Sequence, residues 1–418
     1  MADKRFNSLP GFRDFAPDDC AIRNYIFATW RSVAHRYGFV EYEAPILEET
    51  ALYQKKAGDE MNTQLFRFVD QGKRDITMRP ELTASLARIV SGHQRNYPKP
   101  MKWFEIGQCF RYEKPQKGRG REFIQFNADI IGEDDPAADA ELISVAIDTM
   151  LALGFTEKDF VVRASDRESW LKFCSENNVE DTTGFLGVID KIERDKPEVV
   201  SQKLAKYNLT SEFVHAFIND PKNASPAFKQ IQKNLEARGL GKYLKLDLTI
   251  VRGLAYYTGT VFEIFDTSHS MRAVAGGGRY DDLLKSLSNG IVDLPCTGFA
   301  MGDMVIRNFV EETPHAKAKM DAWLKTQTPC DIYVVVADEE QRLNALKVVT
   351  ELRYAGHKVE YAMTETKFNK QFKTAEKLGA TKALIIGAEF PEIQLKNLTE
   401  RSEEIFTKID ALIETLNQ

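Results

Sequence analysis

The chain has 418 residues, of which 43% are hydrophobic and 28% are charged, a composition typical of folded proteins with room for two or three domains. Its net charge of −6 excludes a global basic field, so any nucleic-acid binding must depend on local basic patches. No apolar run reaches membrane-spanning length and no signal peptide is evident, so we expect a cytoplasmic protein with no membrane association. Five scattered cysteines without a Cys-X-X-Cys pair argue against disulfides and against a structural metal site.

The first elements alternate between helix and short strand. Apolar residues at helical spacing predict a helix from Asp18 to about Tyr37, and the following "FVEYEAPILEE" predicts a strand interrupted by Pro45. Next, "TMRPELTASLARIV" (77–90) predicts a strand that turns into a helix. Glu81 on this turn has two interpretations. It is either an acid suited to a helix N-terminus or, with Thr83, part of a polar pocket.

Residues 101–131 predict a long β-hairpin with a cationic loop, "KPQKGRGR". Strand alternation places Phe123, Gln125, Asn127 and Asp129 on one face, and Arg111 on the facing strand lies beside small residues. A floor that combines an arginine, an amide and a carboxylate next to a basic loop suits a zwitterionic substrate and a polyphosphate. The alternative is a solvated hairpin with an ordinary charged tip.

The middle of the chain changes character twice. Residues 139–153 suit a helix, and about 165–245 reads as a helical insertion. Strand character then returns at "TIVRGLAYYTGTVFEIFD" and is followed by "AVAGGGRYDDLL". Arg252 in such an apolar run needs a partner, because a buried unpaired charge is costly. The glycines at 276–278 allow a close backbone approach or form a plain turn, and Tyr256 and Tyr257 suit either a pocket or the core.

The last part of the chain indicates a separate domain. Residues 311–330 are polar and are predicted to be a linker, and strands and helices alternate after them, as in a small α/β domain with a parallel or mixed sheet. A basic stripe at near-helical spacing in "KFNKQFKTAEK" either meets RNA phosphates or forms a solvated helix face. The stripe consists of Lys367, Lys370, Lys373 and Lys377.

Four stretches, "RPELTASLAR", "CFRYEKPQKGRGREF", "VRGLAYYTGTVFE" and "AGGGRYDDLL", occur in an order that resembles histidyl-tRNA synthetases, a family of class II aminoacyl-tRNA synthetases. The resemblance covers nearly the whole chain. It implies an α+β fold: a class II catalytic domain (1–325) with a mainly antiparallel sheet, flanking helices and the helical insertion, and an α/β anticodon-binding domain (326–418). It also implies a homodimer through "YGFVEYEAPIL".

The resemblance further implies a two-step reaction that requires Mg²⁺. Histidine and ATP form histidyl-adenylate and pyrophosphate, and the histidyl group then passes to tRNA(His). The ammonium of histidine is assigned to Glu81, and the α-phosphate to the catalytic residues Arg111 and Arg252. The complete set implied for histidine is Glu81, Thr83, Gln125, Asp129, Tyr256 and Tyr257. The set implied for ATP is Arg111, Glu113, Arg119, Phe123 and Arg252. The four lysines are assigned to tRNA, and no residue is assigned to a resident metal.

Three positions depart from the usual family pattern. Ala255 replaces an aspartate, Asp129 stands where glutamate is more common, and Val305 occupies the place of the arginine of the third class II motif, with Arg307 two residues away. The alternatives are therefore an inactive paralogue, either a histidine-sensing regulatory subunit of histidine biosynthesis or a tRNA-binding domain of a signalling protein, and a generic nucleic-acid-binding protein. Such regulatory subunits usually lack the anticodon-binding domain and lose the two histidine signatures, which this chain keeps.

Overall fold

The computed structural model describes residues 6–56, 63–116, 118–251, 257–268 and 272–417. The chain forms two compact units, Met1–Met320 and Asp321–Gln418, and the division lies inside a helix that runs from Pro314 to Lys325. That helix corrects the prediction of a polar linker over 311–330: the polar segment is helical because Pro314 suits a first helical turn and Ala316 and Met320 are buried. Within the described ranges, no helix is both long enough and apolar enough to span a membrane.

The first unit contains a large, mostly antiparallel sheet and a small three-stranded one. The large sheet has the order β1-β5-β6-β11-β10-β9-β7-β8, in which β1 pairs with β5 and β7 with β8 in parallel. The small sheet has the order β2-β4-β3 and is antiparallel. The bounds are β1 Val40–Glu41, β2 Leu47–Glu49, β3 Phe66–Val69, β4 Asp75–Met78, β5 Met101–Phe110, β6 Glu122–Ile131, β7 Phe160–Asp166, β8 Leu244–Leu246, β9 Thr260–Asp266, β10 Ala275–Arg279 and β11 Cys296–Gly302.

Helices cover this sheet and form a helical region between β7 and β8. The helical region has its own core, in which Trp170 packs against Phe173 and Phe185. The bounds are α1 Pro17–Arg36, α2 Thr50–Lys56, α3 Thr83–His93, α4 Pro136–Leu153, α5 Arg167–Glu176, α6 Thr182–Ile189, α7 Pro197–Ala205, α8 Ser211–Asn219, α9 Pro226–Ala237, α10 Asp282–Leu287, α11 Asp303–Glu312 and α12 Pro314–Lys325.

The second unit is a mixed α/β domain, as the alternating pattern predicts. Its sheet has the order β13-β12-β14-β15-β16, with β12 parallel to both of its neighbours and the last two pairs antiparallel. The bounds are β12 Ile332–Val336, β13 Val359–Tyr361, β14 Lys382–Ile386, β15 Ile393–Asn397, β16 Glu403–Phe406, α13 Arg342–Tyr354, α14 Phe368–Lys377 and α15 Ile409–Leu416. The predicted α+β fold class is thus confirmed.

The predicted hairpin is present, whereas the strand predicted to begin near residue 249 begins later. Strands β5 and β6 pair over ten residues each, from Met101 opposite Ile131 to Phe110 opposite Glu122. The later strand, β9, begins only at Thr260: residues 248–249 form a turn, and residues 252–256 lie outside the described part of the chain.

Arg79 is a buried cation at the turn between β4 and α3. Its Nη1 lies 2.7 Å from Glu105 Oε1 and 2.7 Å from the carbonyl oxygen of Ala44, and its Nε donates to the carbonyl of Gln108 at 2.8 Å. Burial raises the pKa of Glu105, and the Arg79 guanidinium opposes that rise. Gly107 leaves room for the arginine, because a Cβ there would lie 2.5 Å from Arg79 Nη2. Arg79 therefore fastens the turn to strand β5.

We expect Arg79→Met to lower the free energy of unfolding by about 3–5 kcal/mol, because it leaves the Glu105 carboxylate buried without its cation. The measurement is chemical denaturation followed by circular dichroism. The control is Arg31→Met, which breaks the solvent-exposed Arg31–Glu41 pair and should cost less than about 1 kcal/mol. Equal losses in the two variants would contradict the role of Arg79.

Candidate active site

A polar pocket of about 140 Å³ lies on the large sheet, where β6, β10 and β11 meet the start of α3. It brings together six of the residues predicted for the site, from three separate stretches of the sequence. The pocket is lined by Glu81, Thr83, Arg111, Gln125, Asn127, Asp129, Tyr257, Gly276, Tyr280, Gly298, Phe299 and Ala300.

Glu81 satisfies both interpretations of its place on the turn. Its Oε1 accepts a hydrogen bond from the backbone N–H of Ala84 at 3.0 Å, in the first turn of α3, where an anion is favoured. The same side chain lines the polar pocket. Next to it, Thr83 Oγ1 accepts from Asn127 Nδ2 at 3.4 Å. The helix N-terminus thus holds the carboxylate at the edge of the pocket.

Asp129 forms the floor of the polar pocket and is 1% exposed. It accepts a hydrogen bond from the hydroxyl of Tyr280 at 2.5 Å. Its partner across the ladder is Gly298, where a Cβ would lie 1.8 Å from Asp129 Oδ1. The space that Asp129 occupies therefore exists because residue 298 has no side chain.

A second pocket of about 120 Å³, here called the loop pocket, lies beside the hairpin loop and shares Arg111 with the polar pocket. Arg111 lies over the ring of Phe123, with Cζ 5.1 Å from the ring centroid, and its Nε donates to the carbonyl of Pro80 at 3.0 Å. Arg119 Nε lies 2.5 Å from Glu113 Oε2, and this carboxylate is buried. The lining residues are Arg111, Glu113, Gly118, Arg119, Gly120, Phe123, Gly302, Asp303, Met304 and Val305.

Cys109 lies next to the polar pocket but is no nucleophile at neutral pH. It is fully buried, its thiol donates to Gln125 Oε1 at 3.4 Å, and burial raises the pKa of the thiol to about 12. A thiolate is the reactive form of cysteine. The Cys109 thiol is therefore a packing group beside the pocket rather than a reacting one.

Two of the predicted site residues, Arg252 and Tyr256, lie outside the described residues. Val305 lines the loop pocket, at the place where the third class II motif usually has arginine. Arg307 points to other partners: its guanidinium lies 2.8 Å from Asp19 and 2.9 Å from Glu311.

Six residues that line the polar pocket were not predicted for the site, and three of them, Asn127, Tyr280 and Gly298, lie against predicted residues. Asn127 was on the predicted polar face beside Gln125 and Asp129, so strand alternation alone was enough to find it. Tyr280 comes two residues after the glycine run of β10, which was the available signal for a close approach. Gly298 carried no signal, because only the register of β11 against β6 shows that it faces Asp129.

A family model described as "Histidyl-tRNA synthetase" matches residues 11–166 and 196–304 of the chain. The chain belongs to the histidyl-tRNA synthetase family. A second model, "Anticodon binding domain", matches residues 331–418. The predicted resemblance to histidyl-tRNA synthetases is confirmed, and it includes the anticodon-binding domain that regulatory subunits were expected to lack.

Full-length proteins support the same relationship. The chain is 39% identical to a histidine--tRNA ligase of Opitutus terrae, over 95% of each chain, and 33% identical to one of Pyrococcus furiosus, over 97% of each chain. The crystal structure of apo S. aureus histidyl-tRNA synthetase superimposes with a TM-score of 0.75 at 25% identity and covers 99% of this chain and all of that one.

We expect Gly298→Ala to weaken the binding of L-histidine, the amino acid that names the family, by at least about tenfold, or about 1.4 kcal/mol. The new methyl group displaces the Asp129 carboxylate and breaks its hydrogen bond to Tyr280. Calorimetry checks this result. The control is Gly92→Ala on α3, where a Cβ meets nothing within 4 Å. An unchanged affinity in Gly298→Ala would remove Asp129 from the histidine site.

Proposed function

We propose that the protein is an ATP-dependent histidine–tRNA ligase. It joins L-histidine and ATP to form histidyl-adenylate and pyrophosphate, and it then transfers the histidyl group to the terminal ribose of tRNA(His). Full-length similarity to histidine--tRNA ligases supports the reaction. One geometric observation carries the assignment of the site: a polar pocket with two carboxylates adjoins a pocket with two arginines, and Arg111 belongs to both.

In this proposal, histidine occupies the polar pocket. Its ammonium group pairs with Glu81, next to Thr83 and Gln125. Its imidazole N–H donates to Asp129, which also accepts a hydrogen bond from the Tyr280 hydroxyl. Tyr257 forms a wall of the same pocket, and the sequence assigns Tyr256 a place beside it. A pocket that offers buried hydrogen-bond partners discriminates strongly against amino acids that leave those partners unpaired.

ATP occupies the loop pocket in the same proposal. Adenine stacks on Phe123 with its amino group at Glu113, the γ-phosphate meets Arg119, and Arg111 and Arg252 contact the α-phosphate. The histidine carboxylate attacks the α-phosphorus, the bond to the bridging oxygen breaks, and pyrophosphate leaves. Cations held at the phosphate oxygens stabilise the charge that accumulates there, and loss of one such contact costs about 3 kcal/mol.

The reaction also calls for Mg²⁺, which supplies charge neutralisation of the phosphates when it is bound. Among the described residues, Glu113 and Asp303 are the carboxylates that line the loop pocket, and both are paired with arginine. No group of three or more metal-ligating side chains occurs in the described ranges. This donor set fits an ion that arrives on the phosphates of ATP, as Mg²⁺ usually does, rather than a resident metal.

Histidine-dependent ATP–pyrophosphate exchange on the purified chain tests the proposal. We expect exchange with L-histidine and not with other amino acids. Arg111→Gln should reduce kcat by about 100-fold, because it removes a cation from the α-phosphate. A folded protein that binds histidine without exchange would establish the regulatory-subunit alternative instead.

The protein forms a homodimer in this proposal, through the region around residues 38–50 and its neighbours. Large apolar side chains on β1, β2 and β3 are exposed in the single chain: Val40 is 63% exposed, Leu47 47% and Val69 67%. These side chains are available for burial against a second copy of the chain. A second copy that covers them would also continue the class II arrangement implied by "GFVEYEAPIL".

We therefore expect sedimentation of a dimer at micromolar concentration. Val40→Asp combined with Leu47→Asp should sediment as a monomer, because the charges oppose burial of the apolar surface. Leu343→Asp, at a leucine that is 73% exposed in the second unit, serves as the control and should remain dimeric. A monomeric wild-type protein would overturn this part of the proposal.

The second unit contacts the anticodon arm of tRNA(His) in this proposal. On α14, Gln371 and Ala375 are buried, whereas the four lysines at 367, 370, 373 and 377 are all exposed. Phe368, which is 44% exposed, lies beside them and offers a ring for base stacking.

A cytoplasmic location agrees with five cysteines that are all free thiols.

Replacing the four lysines of α14 with glutamine should raise the KM for tRNA in the charging reaction by at least about tenfold, because phosphate contacts dominate RNA affinity. Pyrophosphate exchange should not change. Lys347→Gln, on helix α13, which packs against the other face of the sheet, is the control. Equal losses in charging and exchange would contradict this division of labour between the two units.

A further inference from the structure

Asp303 introduces a negative charge into the wall of the loop pocket. It is the first residue of α11 and is 4% exposed. Its Oδ1 accepts a hydrogen bond from the backbone N–H of Ile124 at 2.9 Å. The pairing of β11 with β6 ends at Gly302 and Gln125, so this carboxylate continues the ladder where the strand stops. The residue thereby links the start of α11 to the strand that carries Phe123.

Arg13 cancels that charge from the N-terminal segment. Its Nη2 lies 2.7 Å from Asp303 Oδ2, and Asp303 is buried while Arg13 is 24% exposed. The backbone next to Arg13 is tied to the same strand, because the carbonyl of Gly11 accepts from the N–H groups of Arg121 at 2.8 Å and Glu122 at 3.2 Å. Gly11 has φ +89°, and a Cβ there would lie 2.8 Å from Arg121 Cγ.

The charges that line the loop pocket cancel one another, and Arg13 adds one positive charge to them. Among the pocket's described lining residues, Arg111 and Arg119 carry positive charge, and Glu113 and Asp303 carry negative charge. The usual arginine of the third motif is replaced by Val305, which supplies none. A triphosphate carries several negative charges, so an unpaired Asp303 in this wall would repel it.

We propose that Arg13 is a positioning residue for ATP: it neutralises Asp303 and holds the hairpin and the start of α11 together around the nucleotide. The inference rests on the proposed function, since it takes the loop pocket as the ATP site. Arg13 thus supplies, from the N-terminal segment, a cation beside the wall in which Val305 replaces the third-motif arginine.

The test is calorimetric binding of MgATP in the absence of histidine, which does not depend on turnover. We expect Arg13→Gln to raise the Kd for MgATP by at least about tenfold, the factor that corresponds to about 1.4 kcal/mol. The Kd for L-histidine should stay within about threefold, because the polar pocket is untouched. Arg31→Gln, at the exposed Arg31–Glu41 pair, is the control.

Removal of the Asp303 charge distinguishes neutralisation by Arg13 from a purely structural role of Arg13. In the Arg13→Gln background, Asp303→Asn should restore most of the affinity for MgATP, since it removes the unpaired charge. Asp303→Asn alone should bind MgATP at least as tightly as the wild-type chain, and this result decides the matter if Arg13→Gln does not fold. The proposal is overturned by equal weakening of MgATP and histidine, by no rescue in the double variant, or by weaker MgATP binding in Asp303→Asn.

Failure of this inference differs from failure of the proposed function. If the wild-type chain catalyses ATP–pyrophosphate exchange and Arg13→Gln binds MgATP with unaltered affinity, only the role of Arg13 is rejected. Absence of exchange in a wild-type chain that binds MgATP would reject the ligase function and leave the binding experiment valid.

Discussion

The buried Arg79 guanidinium is the contact on which the geometry of the site depends. The backbone of the same residue is also fixed: the carbonyl of Arg79 accepts a hydrogen bond from the N–H of Phe110, and the N–H of Arg79 donates to the carbonyl of Ile46. The turn after β4 is therefore hydrogen-bonded to two separate segments of the chain. The next residue, Pro80, offers its carbonyl to Arg111, and Glu81 then receives the N–H of Ala84. Three consecutive residues thus position an anion and a cation that line the same pocket.

Much of this arrangement follows from local sequence patterns. The alternation of residues 122–131 was enough to place Gln125 and Asp129 on a shared polar face, because successive side chains of a strand point to opposite faces of the sheet. The strand-to-helix turn at Pro80 was equally local. The helix over Pro314–Lys325 was missed because its polar composition obscured two buried positions, Ala316 and Met320.

Contacts between distant segments were not predictable in the same way. Arg13 and Asp303 are 290 positions apart, and neither stretch by itself indicates that the other exists. Tyr280 and Asp129 are 151 positions apart. They meet because the order of strands in the sheet is β6-β11-β10, which brings the end of β10 close to β6. Single-sequence reasoning therefore recovered the residues that a strand or a turn presents, and it missed partners that the sheet order brings together.

The ion pair between Arg119 and Glu113 has a consequence for nucleotide selection. The two side chains form an ion pair at 2.5 Å in which both buried Glu113 oxygens lack a hydrogen-bond partner among the described residues, and their proposed ligand contacts are at opposite ends of ATP. Breaking the pair leaves two charged groups to be matched at once, one by an adenine amino group and the other by a terminal phosphate. In the proposed binding mode, a nucleotide that lacks either end would leave one of these charges unmatched, and the pair would then favour whole ATP over its fragments.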